Sequence, residues 1–330
     1  LAPQLAEFVS LFLVTERAAG YERVERCQGN CGQHFIVLRT VPCYSSVEVN
    51  GFDKALLLAF NRFILLLVVI EMRVRYGVKL FHFHGQYARF GVAYLLAVLA
   101  RIMQLRMLLD IRDKGVRGRK LRLFDTVIGA SRSVADNVQA DIVPGKFSLV
   151  AIPHAAPSVQ AIDTTEMPEH FFLFVGTVRQ LKGVDTLIEA YRRYRAEDGT
   201  ISLLLIGPIV DENLVRDSEV QTLGSRDPAF AYEAIRRCKL LLLPSRSEGL
   251  PHVCLEAIEA GARFVVGPGI PEMEQFCPHN VLPDVTPEAV LECLNNPENI
   301  PPAKGYDLAQ HRPHEVAKAL FEIYRKMLTP

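Results

Sequence analysis

The sequence has no surplus of charge: 37 Lys and Arg stand against 37 Asp and Glu in 330 residues. A neutral chain whose basic residues have no aromatics among them disfavours a nucleic-acid partner. Cysteine is sparse and odd in number, seven in all. That points to a reducing, cytoplasmic setting rather than a disulfide framework. Cys27, Cys31 and His34 cluster, but the spacing lacks a fourth ligand, so no metal site is expected there. The longest apolar run, Leu56–Ile70, is interrupted by Asn61 and Arg62. It falls short of the roughly 20 residues that a spanning helix needs, and is read as a buried or membrane-grazing helix. No leader pattern opens the chain, which starts at Leu1. No Gly-x-Gly-x-x-Gly follows the first strand candidate, which disfavours a Rossmann dehydrogenase. No Asp-x-Asp-like metal motif is obvious.

What is present is rhythm and asymmetry. The length is that of two domains at about 150 residues each. Residues 1–150 hold 20 basic and 12 acidic side chains, whereas residues 151–330 hold 17 and 25. Halves of opposite sign face different partners. In the first half, apolar strand candidates (Phe8–Val14, Phe35–Val41, Lys79–His84, Leu105–Ile111, Thr126–Ala130) alternate with helical stretches such as Ala55–Val74 and Tyr87–Met103. Short, wholly apolar strands between helices predict parallel sheets covered on both faces. The rhythm lapses near residues 151–169, where Pro153, Pro157 and Pro168 mark a linker. It resumes with strands Phe171–Val175, Leu203–Ile206, Leu240–Leu243 and Phe264–Val266, a helix from about Val184 to Tyr194, and a helix from Pro251 that stops at Gly261. A last helix opens at Pro313. The expected division is residues 1–152, a linker 153–168, a second domain 169–312, and a last helix 313–330. Two such α/β domains would bind ligands in the cleft between their strand ends.

Two segments carry the chemistry. Pro244-Ser-Arg-Ser-Glu248-Gly249-Leu250-Pro251-His-Val-Cys-Leu-Glu256-Ala257 follows a strand and turns into a helix. The first turn of that helix offers unpaired N–H groups and a positive dipole end to a phosphate, and Gly249 permits close backbone approach. Glu248 and Glu256 are placed to accept hydrogen bonds from sugar hydroxyls, although an acidic residue near a helix start also serves as a cap. The second segment, Phe174-Val-Gly176-Thr177-Val-Arg179-Gln-Leu-Lys182-Gly183-Val-Asp185, puts two cations beyond a strand end. There they would face a diphosphate leaving group or, more blandly, solvent.

These motifs resemble retaining glycosyltransferase family four, of the GT-B fold and the superfamily that includes glycogen synthase and phosphatidylinositol mannosyltransferase. Pro244–Ala257 reads as its P-S-x-x-E-G-x-P-x-x-x-x-E-A segment, Val175–Gly183 as its V-G-x-x-x-x-x-K-G, and Gly269-Ile-Pro-Glu272 as its G-x-P-E turn. The likeness covers roughly residues 120–330 well and the first third less well.

The resemblance implies two Rossmann-like domains, with the helix 313–330 packing back toward the first, and transfer of a sugar, with retention and without a metal or other cofactor, from a nucleotide diphosphate sugar to an acceptor hydroxyl. It implies that Glu248 contacts the transferred sugar, Glu256 the ribose, and Lys182 the diphosphate, with Gly176, Arg179, Gly249 and Leu250 around the donor. Thr177 stands where the family commonly has arginine. Phe81-His-Phe-His84-Gly85 resembles its H-x-H-G, so His84 would face the cleft. Ala19-Gly20 resembles its first glycine pair, so Gly20 would approach the diphosphate. Near the end of the run Leu105–Asp113, Arg112 or Asp110 stands where the family often has histidine. The basic run Arg112–Arg122 is read as a solvated loop, a contact to a phosphate-bearing acceptor, or a contact to an anionic membrane surface. The last reading places the protein as peripheral on the inner face, with a lipid-linked or envelope-polysaccharide acceptor. The alternatives are a nucleotide-sugar epimerase and a non-catalytic GT-B scaffold.

Overall fold

The computed structural model describes residues 63, 66, 67, 69–84 and 92–329, apart from 113, 115, 117, 158–161, 217, 218, 304 and 305, together with residues 26–28 and 34–36. The short strands β1 (Arg26–Gln28) and β2 (His34–Ile36) pair antiparallel. The expectation had made Phe35–Val41 a strand of the parallel sheet. A connection as short as Gly29–Gln33 allows only an antiparallel hairpin, because a parallel crossover needs a dozen residues or more. The candidate Phe8–Val14, Gly20, and the side chains of Cys27, Cys31 and His34 lie outside the described residues.

The first parallel sheet contains β3 (Leu80–His84), β4 (Arg106–Ile111), β5 (Thr126–Gly129) and β6 (Phe147–Leu149), in that order. Helix α1 (Val92–Ile102) connects β3 to β4, and α2 (Arg132–Val138) connects β5 to β6. One face is filled by Leu96, Leu109, Ile111, Val127 and Val134 among others, with Val69 from the helical residues 69–76. Within and beyond the Leu56–Ile70 run, Val69 and Met72 are buried, while Phe63, Leu67, Ile70 and Val74 are exposed. Among the described residues no helix is long and apolar enough to cross a membrane.

The second sheet holds β7 (Phe171–Val175), β8 (Ser202–Ile206), β9 (Gln221–Thr222), β10 (Leu240–Leu243) and β11 (Phe264–Val266), in the order β11-β10-β7-β8-β9 and all parallel. Its central strands, Phe-Phe-Leu-Phe-Val and Leu-Leu-Leu-Leu, are apolar at every position because helices cover both faces. Those helices are α3 (Val184–Ala196), the single turn α4 (Glu212–Val215), α5 (Pro228–Arg237), α6 (His252–Ala260), α7 (Pro271–Phe276) and α8 (Pro287–Asn295). Proline in the first turn and an Asp227 side chain on the Ala229 N–H start α5; Pro287 and the Thr286 hydroxyl on Ala289 start α8.

The last helix, α9 (Pro313–Leu328), belongs by sequence to the second half and by packing to the first. Its Val316, Ala317, Leu320 and Tyr324 bury against Leu108, Ile128 and Val150, the face of the first sheet opposite α1. The Tyr324 hydroxyl lies 2.6 Å from His82 Nδ1 on β3. Where the chain crosses back, His311 Nδ1–H donates to the Ile152 carbonyl at 2.8 Å and Tyr306 hydroxyl donates to His311 Nε2, also at 2.8 Å. Two crossings tied to each other place the carboxyl edges of both sheets opposite one another.

Candidate active site

In the second sheet the chain runs from β7 outward to β8 and β9, then returns to β10 and β11 on the other side. The order therefore reverses between β7 and β10, the point at which open α/β sheets bind their ligands. The two loops leaving it are those that carry the motifs. They are packed together by Gly183, which has φ of +70°; a Cβ there would lie 1.8 Å from the Pro244 carbonyl oxygen. Arg246 N donates to the Leu181 carbonyl at 3.1 Å. Its guanidinium grips both oxygens of Asp185, at 2.7 and 2.8 Å, and reaches Thr186 Oγ1 at 2.9 Å. This fork-to-carboxylate pair holds Asp185 well ionised, below its usual range despite partial burial. Arg246 and Asp185 were not singled out in the sequence; only the adjacency of β7 and β10 makes them partners.

On this platform Lys182 Nζ and Glu248 Oε1 form an ion pair, with side chains 30% and 16% exposed. The residue assigned to the sugar and the residue assigned to the diphosphate are thus brought together and neutralise each other. Leu250 is buried, and α6 starts after Pro251 with no side-chain cap on its first turn. Glu256 is half-buried on α6, and burial pushes its carboxyl up. Gly176 and Thr177 are half-buried at the end of β7. Arg179 is exposed at the start of the turn Gln180–Lys182, and no ion pair occupies it among the described residues.

The opposite wall comes from the first domain. His84 ends β3 in register with Asp110 of β4, so its backbone stands at the cleft edge; the side chain engaged with α9 is that of His82. Asp110 is 5% exposed and accepts from Arg112 Nε at 2.9 Å. The domains touch directly. A Cβ on Gly249 would lie 2.9 Å from the Arg112 carbonyl oxygen, with Val134 and Ser131 beyond. Lys114 Nζ donates to the Gly269 carbonyl at 2.9 Å. Glu272, of the Gly-Ile-Pro-Glu turn, accepts the Arg132 N–H of α2 at 2.6 Å, and Arg132 Nη1 donates to Gln275. Glu272 thus caps a helix of the other domain, a role no sequence signal revealed. The run Arg112–Arg122 is divided: Arg112 donates to Asp110 and Lys114 reaches across to the Gly269 carbonyl, while Arg119, Lys120 and Arg122 lie on the turn Arg119–Leu123 over the buried Leu121. His252, in the first turn of α6, is held below its ordinary value by burial, reinforced by Arg112, His154 and His311. Among the described residues no group of three or more His, Cys, Asp or Glu is arranged to hold a metal.

Residues 169–296 match the family model described as glycosyl transferases group 1. An uncharacterized glycosyltransferase of Methanocaldococcus jannaschii is 30% identical over 142 residues, which is 39% of this chain and 39% of that protein. In solved structures, the chain resembles sucrose-phosphate synthase from Thermosynechococcus elongatus over 99% of its length and 92% of that chain, with a TM-score of 0.73 and 16% identity. It resembles an α,α-trehalose-phosphate synthase from Burkholderia xenovorans, solved with glucose-6-phosphate, over 96% of its length and 92% of that chain (TM-score 0.66, 9% identity). A lipopolysaccharide outer core galactosyltransferase in its apo form aligns over 88% of this chain and 85% of that one (TM-score 0.56, 15% identity). At such identities the structures establish the fold, and the family match covers residues 169–296. The chain has the GT-B fold, and its residues 169–296 match the glycosyl transferases group 1 family.

Proposed function

We propose that the protein is a retaining, metal-independent glycosyltransferase that moves a sugar from a nucleotide diphosphate sugar to an acceptor hydroxyl. The observation that carries this reading is the Lys182–Glu248 pair at the point where the sheet order reverses, beside the uncapped start of α6. In the donor complex the diphosphate takes the place of Glu248 as the partner of Lys182. Negative charge developing on the departing diphosphate is met by Lys182, Arg179 and the N–H groups at Gly249, Leu250 and the first turn of α6. Glu248, released, accepts from hydroxyls of the transferred sugar. Glu256 accepts from the ribose, for which a half-buried carboxylate is better placed than a solvated one. Contact between Gly249 and the Arg112 carbonyl keeps water from the space between donor and acceptor. The acceptor enters from the first domain, near His84 and Arg112, and Gly20 is assigned to the diphosphate side by resemblance. A lipid-linked acceptor at an anionic membrane surface, met by Arg119, Lys120 and Arg122 from the cytoplasmic side, belongs to the same reading.

The test is thermal unfolding of the full chain with UDP-, GDP- and ADP-sugars and the free nucleotides. A donor at 100 times its dissociation constant adds about 2.7 kcal/mol of stability. The expected result is a raised melting temperature with one nucleotide series, lost in Glu256→Ala, and release of that nucleotide on adding acceptor, with the anomeric proton of the product showing retention. Binding without turnover would favour the scaffold. Conversion of the donor without acceptor would favour an epimerase.

A further inference from the structure

We propose that Arg112 is the binding group for an anionic substituent, carboxylate or phosphate, carried by one of the two sugar substrates beside Glu248. The inference rests on the glycosyltransferase reading and specifies the substrate class it leaves open.

Placement is the first ground. Arg112 follows the last residue of β4, at the carboxyl edge facing the cleft. Its carbonyl lies against Gly249, the residue next to Glu248, close enough that a Cβ there would meet it at 2.9 Å. The side chain therefore springs from the level of the reacting groups and not from the outer surface.

The second ground is the way the guanidinium is held. Asp110, nearly buried, accepts from Nε alone, at 2.9 Å. An arginine present only to neutralise a buried carboxylate would offer it two parallel N–H bonds, the stronger arrangement that Arg246 shows on Asp185. Here Asp110 holds the group by its stem side. Nη1 and Nη2 have no partner among the described residues, and the side chain is 40% exposed. What is left open is a planar fork that matches a carboxylate or phosphate.

Charge is the third. Lys182 and Arg246 already face carboxylates, whereas Lys114 rests on the neutral Gly269 carbonyl. Among the described residues of this wall, Arg112 and Lys114 meet a single carboxylate, that of Asp110.

The anion has two possible sources, and the experiment separates them. Binding and initial rates are measured for the full chain with a nucleoside diphosphate hexose and the matching hexuronate as donors, and with glucose and glucose 6-phosphate as acceptors. The variants are Arg112→Lys, Arg112→Gln, and Asp110→Asn with Arg112→Gln, which leaves no buried charge unpaired. The parent is expected to favour the acidic member of one pair by roughly 10- to 100-fold, as charge-assisted hydrogen bonds do. Both Gln variants lose that preference, the acidic member of the pair losing more than the neutral one, and Arg112→Lys restores part of it. A preference in the donor pair assigns the anion to the transferred sugar, and one in the acceptor pair assigns it to the acceptor. Equal handling of both pairs by the parent, or an equal loss for charged and neutral members on substitution, overturns the proposal and leaves the transferase reading intact. No binding of any nucleotide sugar overturns both.

Discussion

The two walls of the cleft are built on opposite electrostatic plans. On the second domain, the central charges are matched within the wall, Lys182 with Glu248 and Arg246 with Asp185, while Arg179 has no ion pair among the described residues. The loops that carry them touch through Gly183 with no room for a methyl group. On the first domain, one buried aspartate holds one arginine by its stem, and the next cation rests on a carbonyl. The first plan preorganises a site whose ligand displaces an internal partner. The second leaves donors waiting for a ligand.

The comparison breaks first at glycine. Gly183→Ala places a side chain in a left-handed conformation and against the Pro244 carbonyl. It is expected to destabilise the second domain by about 3 kcal/mol or more, read by urea unfolding. Gly249→Ala meets the other domain instead, at 2.9 Å. Its expected effect is a shift apart of the domains and slower transfer, with the unfolding of the second domain nearly unchanged. If Gly249→Ala proved the more destabilising of the two, the picture of a rigid wall meeting a separable one would fail.

A smaller effect is expected at Arg246. Arg246→Lys gives up the two-point grip on Asp185, whose partners are 37% and 27% exposed. With solvent screening, a loss of about 1 kcal/mol is expected. If that loss falls on the placement of Lys182 and Glu248, turnover drops roughly tenfold with little change in donor affinity. A changed affinity with constant turnover would instead make Arg246 a ligand contact.

The smallest effect is on pH dependence. Burial raises the Glu256 carboxyl above its ordinary value of 4.5. The folded state therefore holds that proton where the unfolded chain has released it. The stability so conferred is present below 4.5 and is lost as pH rises through the raised value. Glu256→Gln removes the penalty on the ionised form. Without ligand it should melt higher than the parent at neutral pH, with the gap closing in acid, and it should lose the stabilisation by donor. A Gln variant less stable than the parent at neutral pH would show that Glu256 already has an internal partner.

Legibility differed between the walls for a physical reason. The second sheet was readable because wholly apolar strands such as Leu240–Leu243 end at Gly or Pro and are followed by amphipathic helices. The first was less so: β6, Phe-Ser-Leu, is too short and mixed to stand out, and α2 is only seven residues long. Glu248, Lys182 and Glu256 could be named from local motifs, because the turn that presents each lies within a dozen residues of it. Arg246 with Asp185, Glu272 with Arg132, and Arg112 against Gly249 could not, since each pair is decided by which strands lie side by side or which domain faces which.

The sequence by itself determined the alternation of buried strands and helices, the split of charge between halves, and the loops that bear the chemistry, since all of these rest on local periodicity and on what glycine and proline permit. Tertiary structure alone decided which side chains of the last helix bury on the first sheet, that Lys182 and Glu248 neutralise each other, and that Arg112 keeps an open fork. Those outcomes depend on contacts between residues far apart in the chain, whose energies arise only when the two sheets are brought edge to edge.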